Sequence, residues 1–199
     1  MGESKRRSGE IAQLKAEANA WRVGLSDEAR LIAHVAERLD ERLVRARRFS
    51  EGCYHLAFFM TRYLSLHGVQ VRPIIGWVND GTWQGMTSHA WIEFEGKKTD
   101  ASLGYTSHPD AQPTGALIIH DRVMRTGMVD YNYYKNDDCA VQVGLDWMQG
   151  VPEFRSVLRH KEAEHAEMMV IASEDRIDTY LSKAPHGTTF ADLARLVEA

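Results

Sequence analysis

A cysteine, a histidine and an aspartate follow one another along the chain in an order that suits nucleophilic catalysis. Cys53 begins an amphipathic segment, and the stretch SHAWIEFEGKKTDA runs from Ser88 to Ala101 with His89 and Asp100 near its two ends. A thiolate can attack a carbonyl carbon, an imidazole can carry the proton, and a carboxylate can hold the imidazole in one tautomer and orientation. These residue types predict thiol-dependent acyl transfer if the fold brings them together.

The sequence predicts that Cys53 lies in the first turn of a helix capped by Ser50 and ended at Gly68. The apolar stripe of this helix is formed by Leu56, Ala57, Met60 and Leu64. Unpaired N–H groups and the helix dipole at such a start stabilise a thiolate. Taken alone, Cys53 fits a small buried apolar side chain of the same stripe better than a nucleophile.

The histidine and the aspartate are predicted to share one face of a β-hairpin that turns near Gly96. Side chains alternate between the two faces of a strand, and the turn brings the second strand back in register with the first. The residues predicted on this face are His89, Trp91, Glu93, Lys98, Asp100 and Ser102. We expect Asp100 to reach one ring nitrogen of His89 and to leave the other for Cys53. The alternative is a cross-strand polar pair on a solvated face.

Two segments of the chain resemble the transglutaminase-like branch of the papain-fold superfamily. They are EGCYHLAFFMTRYLSLHGVQVRPIIGWV and SHAWIEFEGKKTDAS. The matching positions are Cys53, the corner His67-Gly68-Val69 with Arg72, the step His89-Ala90-Trp91 with Glu93, and Asp100. The short return from His89 to Asp100 is similar to that of the leader peptidases that process lasso peptides.

The resemblance implies an α+β fold with a papain/transglutaminase-like core, in which the cysteine-bearing helix packs on a small antiparallel sheet and helices flank both. It implies a triad of Cys53, His89 and Asp100 that hydrolyses a peptide or protein amide through a thioester. It implies no cofactor and no metal. Nothing in the chain suggests the calcium sites of animal transglutaminases, which favours hydrolysis over transamidation.

The chain departs from the superfamily pattern at the oxyanion donor. Papain-type enzymes have a glutamine six residues before the cysteine, and this position holds Arg47. The backbone N–H of Cys53 is one expected donor, and Arg47, Gln70 or Gln84 are the alternatives for the second. Trp83, which lies shortly before His89, and Trp91 are the candidate substrate-binding residues.

Two other classes of function stay open. A catalytically inactive relative would use the same groove to bind a peptide or protein, and the missing oxyanion side chain favours it. An amine-acylating enzyme, either transamidating or related to arylamine acetyltransferases, would share the order of cysteine, histidine and aspartate.

Composition limits the partners. The chain has 199 residues, a formal net charge of -4 and two cysteines. We expect one domain (1–199), no nucleic-acid or membrane partner, and a reduced, cytoplasmic protein. The oligomeric state is left open. An arginine-rich helix face interrupted by Asp40 and Glu41 is interpreted as solvated.

The expected organisation is an N-terminal helical segment (1–49), a core of one helix and a sheet (50–135), and a C-terminal helical segment (152–199). A helix is expected over Glu10–Trp21 and another from Ser26 onward. Strands are expected over Val71–Val78, with Pro73 at a strand start or edge, over Ala116–His120, and near Met128–Tyr134. A last helix is expected over Thr189–Val197.

Overall fold

The computed structural model describes residues 16–17, 19–110, 112–173 and 176–199, which form an α+β fold. Its helices are α1 (Asp27–Leu39), a π-helical turn (Asp40–Arg45), α2 (Cys53–Leu66), α3 (Cys139–Gly150), α4 (Arg155–Ser173), α5 (Ile177–Ser182) and α6 (Phe190–Glu198). Its strands are β1 (Arg72–Asn79), β2 (Thr87–Phe94), β3 (Lys97–Thr99), β4 (Leu117–Ile119), β5 (Arg122–Arg125) and β6 (Asn132–Tyr134). The predicted α+β class is confirmed.

Helix α2 lies at the centre of the core. Its sequence, CYHLAFFMTRYLSL, is apolar on most sides, which is typical of a helix that is buried between other elements. It contacts α1, α5 and α6 as well as the strands β1 and β2, and Phe58 and Phe59 are fully buried. The fold therefore holds the first residue of α2, Cys53, on a rigid element.

Helix α1 begins as predicted, since the Ser26 hydroxyl accepts a hydrogen bond from the Ala29 backbone N–H at 3.2 Å. The interpretation of Asp40 as a solvated acid is wrong. Asp40 is 1% exposed and forms an ion pair with Arg125 of β5. The cause is the π-helical turn, whose wider winding carries this side chain onto the buried side of the helix. Gly104 leaves room for it, because a Cβ there would lie 2.5 Å from an Asp40 carboxylate oxygen.

The larger sheet is antiparallel, with the strand order β3-β2-β1-β6. β1 begins at Arg72. Its pairing with β6 starts only at Trp77, so Pro73 lies before the part of the strand that pairs with β6. At that point β1 has a neighbour on one side only, so the missing N–H of Pro73 leaves no gap in the sheet. The predicted place of Pro73 near a strand start is confirmed.

The hairpin β2–β3 has the predicted turn and register but is more deeply buried than expected. Glu95 and Gly96 form the turn with φ of 50° and 77°, and Glu93 pairs with Lys98. The sequence pattern resembles a strand with one solvated face, whereas both faces of β2 are covered: His89 is 2% exposed and Ala90 is 1% exposed. The alternative of a polar pair on a solvated face is therefore not what the structure shows, because His89 and Asp100 are each 2% exposed.

The remaining predictions were met in part. The strand expected over Ala116–His120 is limited to Leu117–Ile119, and the one expected near Met128–Tyr134 is limited to Asn132–Tyr134. The last helix, α6 (Phe190–Glu198), lies within one residue of the expected bounds, and the side chain of Thr189 caps it. The helix expected over Glu10–Trp21 lies largely outside the described residues, and the described part, 16–17 and 19–23, is helical. Helix α3, over Cys139–Gly150, was not predicted.

Across the described part of the chain, every helix is too short or too polar to span a bilayer.

Candidate active site

Cys53 lies in the first turn of α2, as predicted, and is its first residue, but Ser50 does not cap this helix. The cap position is Gly52, and no side chain among the described residues bonds to the free N–H groups of the first turn. The Ser50 hydroxyl instead lies 2.8 Å from the hydroxyl of Ser107. The helix start therefore leaves backbone N–H donors unpaired beside the thiol.

The chain just before Cys53 follows an unusual path. Glu51 has a φ of 60°, a left-handed conformation that is uncommon for a residue with a side chain. Gly52 lies directly against the ring of Phe49, because a Cβ at Gly52 would come 2.0 Å from a ring carbon. This tight packing fixes where α2 begins and therefore where the thiol lies.

His89 and Asp100 form a buried pair next to Cys53. His89 Nε2 lies 2.7 Å from Asp100 Oδ2, and each residue is 2% exposed. Cys53 and His89 line the same cavity, so the thiol and the imidazole face a common space. Because Asp100 occupies Nε2, the other ring nitrogen, Nδ1, is left for proton exchange with Cys53.

Asp100 accepts four hydrogen bonds, two on each oxygen. Oδ2 accepts from His89 and from the Tyr133 hydroxyl at 2.7 Å. Oδ1 accepts from the Ser102 backbone N–H at 2.9 Å and from the Ser102 hydroxyl at 2.7 Å. All partners are donors, so the site is built for an ionised carboxylate.

The electrostatics of the pair favour an imidazolium and a carboxylate. Burial lowers the pKa of His89, but the charges of Asp100 and Cys53 and the hydrogen bonds to both outweigh it, and the pKa rises from 6.5 to about 10. Burial raises the pKa of Asp100, yet the charge of His89 and the hydrogen bonds from His89, Tyr133 and Ser102 bring it below its ordinary 3.8. Burial and the charge of Asp100 raise the pKa of Tyr133 well above 10, so its hydroxyl stays a donor.

These pKa shifts set the pH range in which the pair stabilises the fold. The contribution of His89 is complete below pH 6.5 and is lost as the pH rises through about 10. The contribution of Asp100 is complete above pH 3.8 and is lost as the pH falls through its lowered pKa. Both contributions are therefore complete between pH 3.8 and 6.5, and the ion pair itself persists until the pH approaches about 10.

Aromatic rings shield the pair from water. Trp91 is 3% exposed, and its ring centroid lies 5.2 Å from that of Tyr133 and 6.5 Å from that of His89. Gly76 makes this possible, because a Cβ there would lie 2.6 Å from the indole of Trp91. Trp91 thus packs behind His89 and does not line the cavity at Cys53.

A cavity of about 280 Å³ opens at Cys53 and His89. Its walls include four residues that the sequence did not single out, namely Tyr105, Gln112, Lys161 and Glu164. Gln112 belongs to the loop between Asp100 and β4, and Lys161 and Glu164 belong to α4. No local pattern marks these residues, since they reach the cavity only through the tertiary fold.

Three of the predicted site residues lie away from this cavity. Arg47 points to the backbone carbonyl of Gly187 at 3.5 Å, and the carbonyl of Gln84 faces Gly144 of α3. Trp83 packs edge to face with Trp147 at a centroid distance of 5.9 Å. None of the three side-chain candidates for the second oxyanion donor, Arg47, Gln70 and Gln84, lines the cavity at Cys53, whereas the backbone N–H of Cys53 lies beside its own thiol.

In the described ranges, no three or more His, Cys, Asp and Glu side chains are grouped so that they could hold a metal ion.

Comparison of this chain with protein-family models, with curated proteins and with solved structures found no match.

Proposed function

We propose that this chain is a thiol-dependent acyl-transfer enzyme that hydrolyses a peptide or protein amide. The observation that carries the proposal is the buried His89–Asp100 pair, joined at 2.7 Å, with His89 lining one cavity together with a cysteine at a helix N-terminus. The proposal assigns α2 and the hairpin β2–β3 to a papain/transglutaminase-like core. Within that superfamily, the short hairpin is similar to that of lasso-peptide leader peptidases.

The chemistry begins with an ion pair. An imidazolium beside Cys53 stabilises the thiolate, which attacks the carbonyl carbon of the amide. The negative charge moves to the carbonyl oxygen, where the uncapped N–H groups at the start of α2 can donate to it. His89 then gives its Nδ1 proton to the leaving nitrogen as the C–N bond breaks, and a thioester with Cys53 forms.

Hydrolysis regenerates the enzyme in the second half of the cycle. Water gives a proton to Nδ1 of His89 as its oxygen attacks the thioester carbonyl. The C–S bond breaks, the carboxylic acid leaves, and the thiolate and imidazolium are restored. Asp100 keeps the imidazole ring in one orientation throughout.

The second oxyanion donor is assigned to Gln112. Gln112 lines the cavity with Cys53 and His89, and a carboxamide N–H suits a developing oxyanion. A glutamine on the loop after Asp100 would then take the role that papain-type enzymes give to one before the cysteine. The cavity of about 280 Å³ is small for a ligand site, which fits a short peptide segment better than a large ligand.

Cleavage of a complex peptide mixture tests the proposal. A tryptic digest of a whole proteome is incubated with wild-type protein and with Cys53→Ala, and new termini are identified by mass spectrometry. We expect new termini with wild type that are missing with Cys53→Ala, and acid quenching should trap an acyl adduct on Cys53. Identical sets of termini for the two proteins would contradict the proposal.

Two additions to the same assay separate the other functions. Adding a primary amine should leave hydrolysis products dominant, whereas products carrying the mass of the amine would indicate transamidation. An acetyl mass on Cys53 after incubation with acetyl-CoA would indicate an acetyltransferase. Peptides that bind equally to wild type and Cys53→Ala without being cleaved would indicate an inactive binding protein.

A further inference from the structure

A second group of buried polar side chains is centred on Ser88, whose side chain lies on the opposite face of β2 from that of its neighbour His89. The Tyr54 hydroxyl lies 2.5 Å from the Ser88 hydroxyl, which lies 2.5 Å from His165 Nδ1. The exposed fractions of the three residues are 7%, 8% and 5%. The triad chemistry uses none of them.

The far end of this group fixes the hydrogen-bond direction at His165. The side-chain N–H₂ of Asn136 donates to the carbonyl of Ile75 at 3.1 Å, so Asn136 Oδ1 faces the other way. Oδ1 accepts from the Trp77 indole N–H at 3.0 Å. His165 Nε2 lies 2.8 Å from the same Oδ1 and must therefore carry the proton and donate it.

The protonation of His165 at Nε2 fixes the hydrogen-bond directions at Ser88 and Tyr54. With its proton on Nε2, His165 can only accept at Nδ1, so the Ser88 hydroxyl donates to it. The oxygen of Ser88 is then free to accept from the Tyr54 hydroxyl. The result is a one-way chain from Tyr54 through Ser88 to His165, with every donor and acceptor matched.

The surroundings keep His165 neutral and fixed in place. Burial lowers its pKa to about 4, so that Nδ1 stays an acceptor at neutral pH. The ring stacks on Trp77, with centroids 4.4 Å apart and planes 17° apart. Trp77 is the cross-strand partner of Ser88, which sets the imidazole directly over the Ser88 hydroxyl.

The two hydroxyls belong to the chain neighbours of the nucleophile and the base. Tyr54 follows Cys53 in the first turn of α2, and Ser88 precedes His89 on β2. Their hydrogen bond therefore joins the helix and the strand next to the two reacting side chains. Helix α4, in the C-terminal segment, stabilises this link because its His165 accepts a hydrogen bond from Ser88.

The order of Ser88, His165 and Asn136 also resembles a nucleophile, a base and an orienting group. The Tyr54 hydroxyl, however, lies at hydrogen-bonding distance from the Ser88 oxygen, and Ser88 is buried. A second nucleophile would need an exposed, unoccupied oxygen, so a structural link between helix and strand is the better interpretation.

We propose that His165 is a positioning residue for the Cys53–His89 pair, acting through the hydroxyls of Ser88 and Tyr54. This inference rests on the proposed thiol chemistry, because the role assigned to His165 is to set the distance between the catalytic groups Cys53 and His89. It gives helix α4 a part in catalysis, although none of the three hydrogen-bonded residues, Tyr54, Ser88 and His165, reacts with substrate.

The test is the rate of Cys53 alkylation by iodoacetamide at about pH 6, read by mass spectrometry with Cys139 as the internal reference. We expect Tyr54→Phe and His165→Leu to slow the alkylation roughly tenfold, because small displacements between reacting groups have effects of this size or larger. Ser88→Ala should do the same, and Ser88→Thr should restore the rate. The matched control is Tyr63→Phe, which removes a buried hydroxyl from the same helix.

A double-mutant cycle separates positioning from general loss of structure. In a His89→Ala background, Tyr54→Phe should have no further effect on alkylation, because there is no imidazole left to position. An equal effect with and without His89 would overturn the inference. So would wild-type alkylation rates in Tyr54→Phe and Ser88→Ala, a result that leaves the proposed function intact. If wild-type Cys53 reacts no faster than Cys139, the proposed function fails and the inference fails with it.

Discussion

Asp100→Asn should lower kcat by on the order of 10³-fold or more, because the asparagine cannot accept all the hydrogen bonds that orient His89 and hold the loop at Ser102. The carboxylate accepts four hydrogen bonds, from His89, Tyr133 and twice from Ser102. An asparagine must direct its N–H₂ group at one of these pairs of donors. His89 then loses the partner that fixes its tautomer, or Ser102 loses its two bonds and the loop after β3 loosens.

The same substitution should destabilise the protein by about 1–3 kcal/mol, because buried donors are left without acceptors. Urea unfolding and steady-state kinetics on a substrate peptide measure the two effects. The matched control is Asp121→Asn, which makes the same chemical change on an exposed carboxylate that bonds Lys98. Asp100→Asn with wild-type kcat would mean that the pair is a structural ion pair without a role in turnover.

Gly52→Ala should lower kcat by roughly 10- to 100-fold and also reduce stability. A Cβ at Gly52 would come 2.0 Å from one ring carbon of Phe49 and 2.4 Å from another. Phe49 is packed against the core and against His55, so the ring cannot simply swing away. The start of α2 must shift instead, and a shift of about 1 Å at Cys53 is enough for a loss of this size.

The Gly52 prediction has a specific rescue and a matched control. The double variant Gly52→Ala with Phe49→Leu should recover much of the lost kcat, because the smaller side chain vacates the space. Gly150→Ala makes the same change where a Cβ would come within 4 Å of no other segment of the described residues, and it should leave kcat unchanged. If Gly52→Ala is fully active, the position of Cys53 does not depend on this contact.

The hairpin that holds His89 and Asp100 could be predicted because it is local. Alternation along β2 and a turn at Gly96 decide which side chains share a face, and Glu93 opposite Lys98 confirms that register. The order from Cys53 to His89 to Asp100 added a resemblance that is proposed here as the core fold. Both kinds of argument use residues that are close in sequence or fixed in order.

The rest of the site depends on contacts between distant segments. Gln112 and Glu164 reach the cavity from a loop and from α4, and neither segment has a sequence pattern that points there. His165 lies in the charged stretch RHKEAEHAE, yet it is 5% exposed and hydrogen-bonded to Ser88. Its neighbours in sequence are charged, so only the packing of α4 against the sheet reveals the buried position.

Asp40 and Ser50 illustrate a second limit, which is local backbone geometry. A regular helix would leave Asp40 in solvent, but the π-helical turn buries it beside Arg125. Ser50 has the ideal residue type for a cap, but the left-handed Glu51 between it and Gly52 turns the chain so that α2 starts later. Neither departure has a signature in residue type or spacing.

The central claim is that His89 activates Cys53, and the pH dependence of iodoacetamide alkylation measures this most directly. Each cysteine is followed by mass spectrometry in wild type and in His89→Ala. Because the raised pKa of His89 keeps the imidazolium in place up to about 10, Cys53 should react rapidly at about pH 6, well below the ordinary thiol value of about 8.5. We predict that this low-pH reactivity exceeds that of the exposed Cys139 and disappears in His89→Ala. Cys53 reacting no faster than Cys139, or equally fast without His89, would contradict the account.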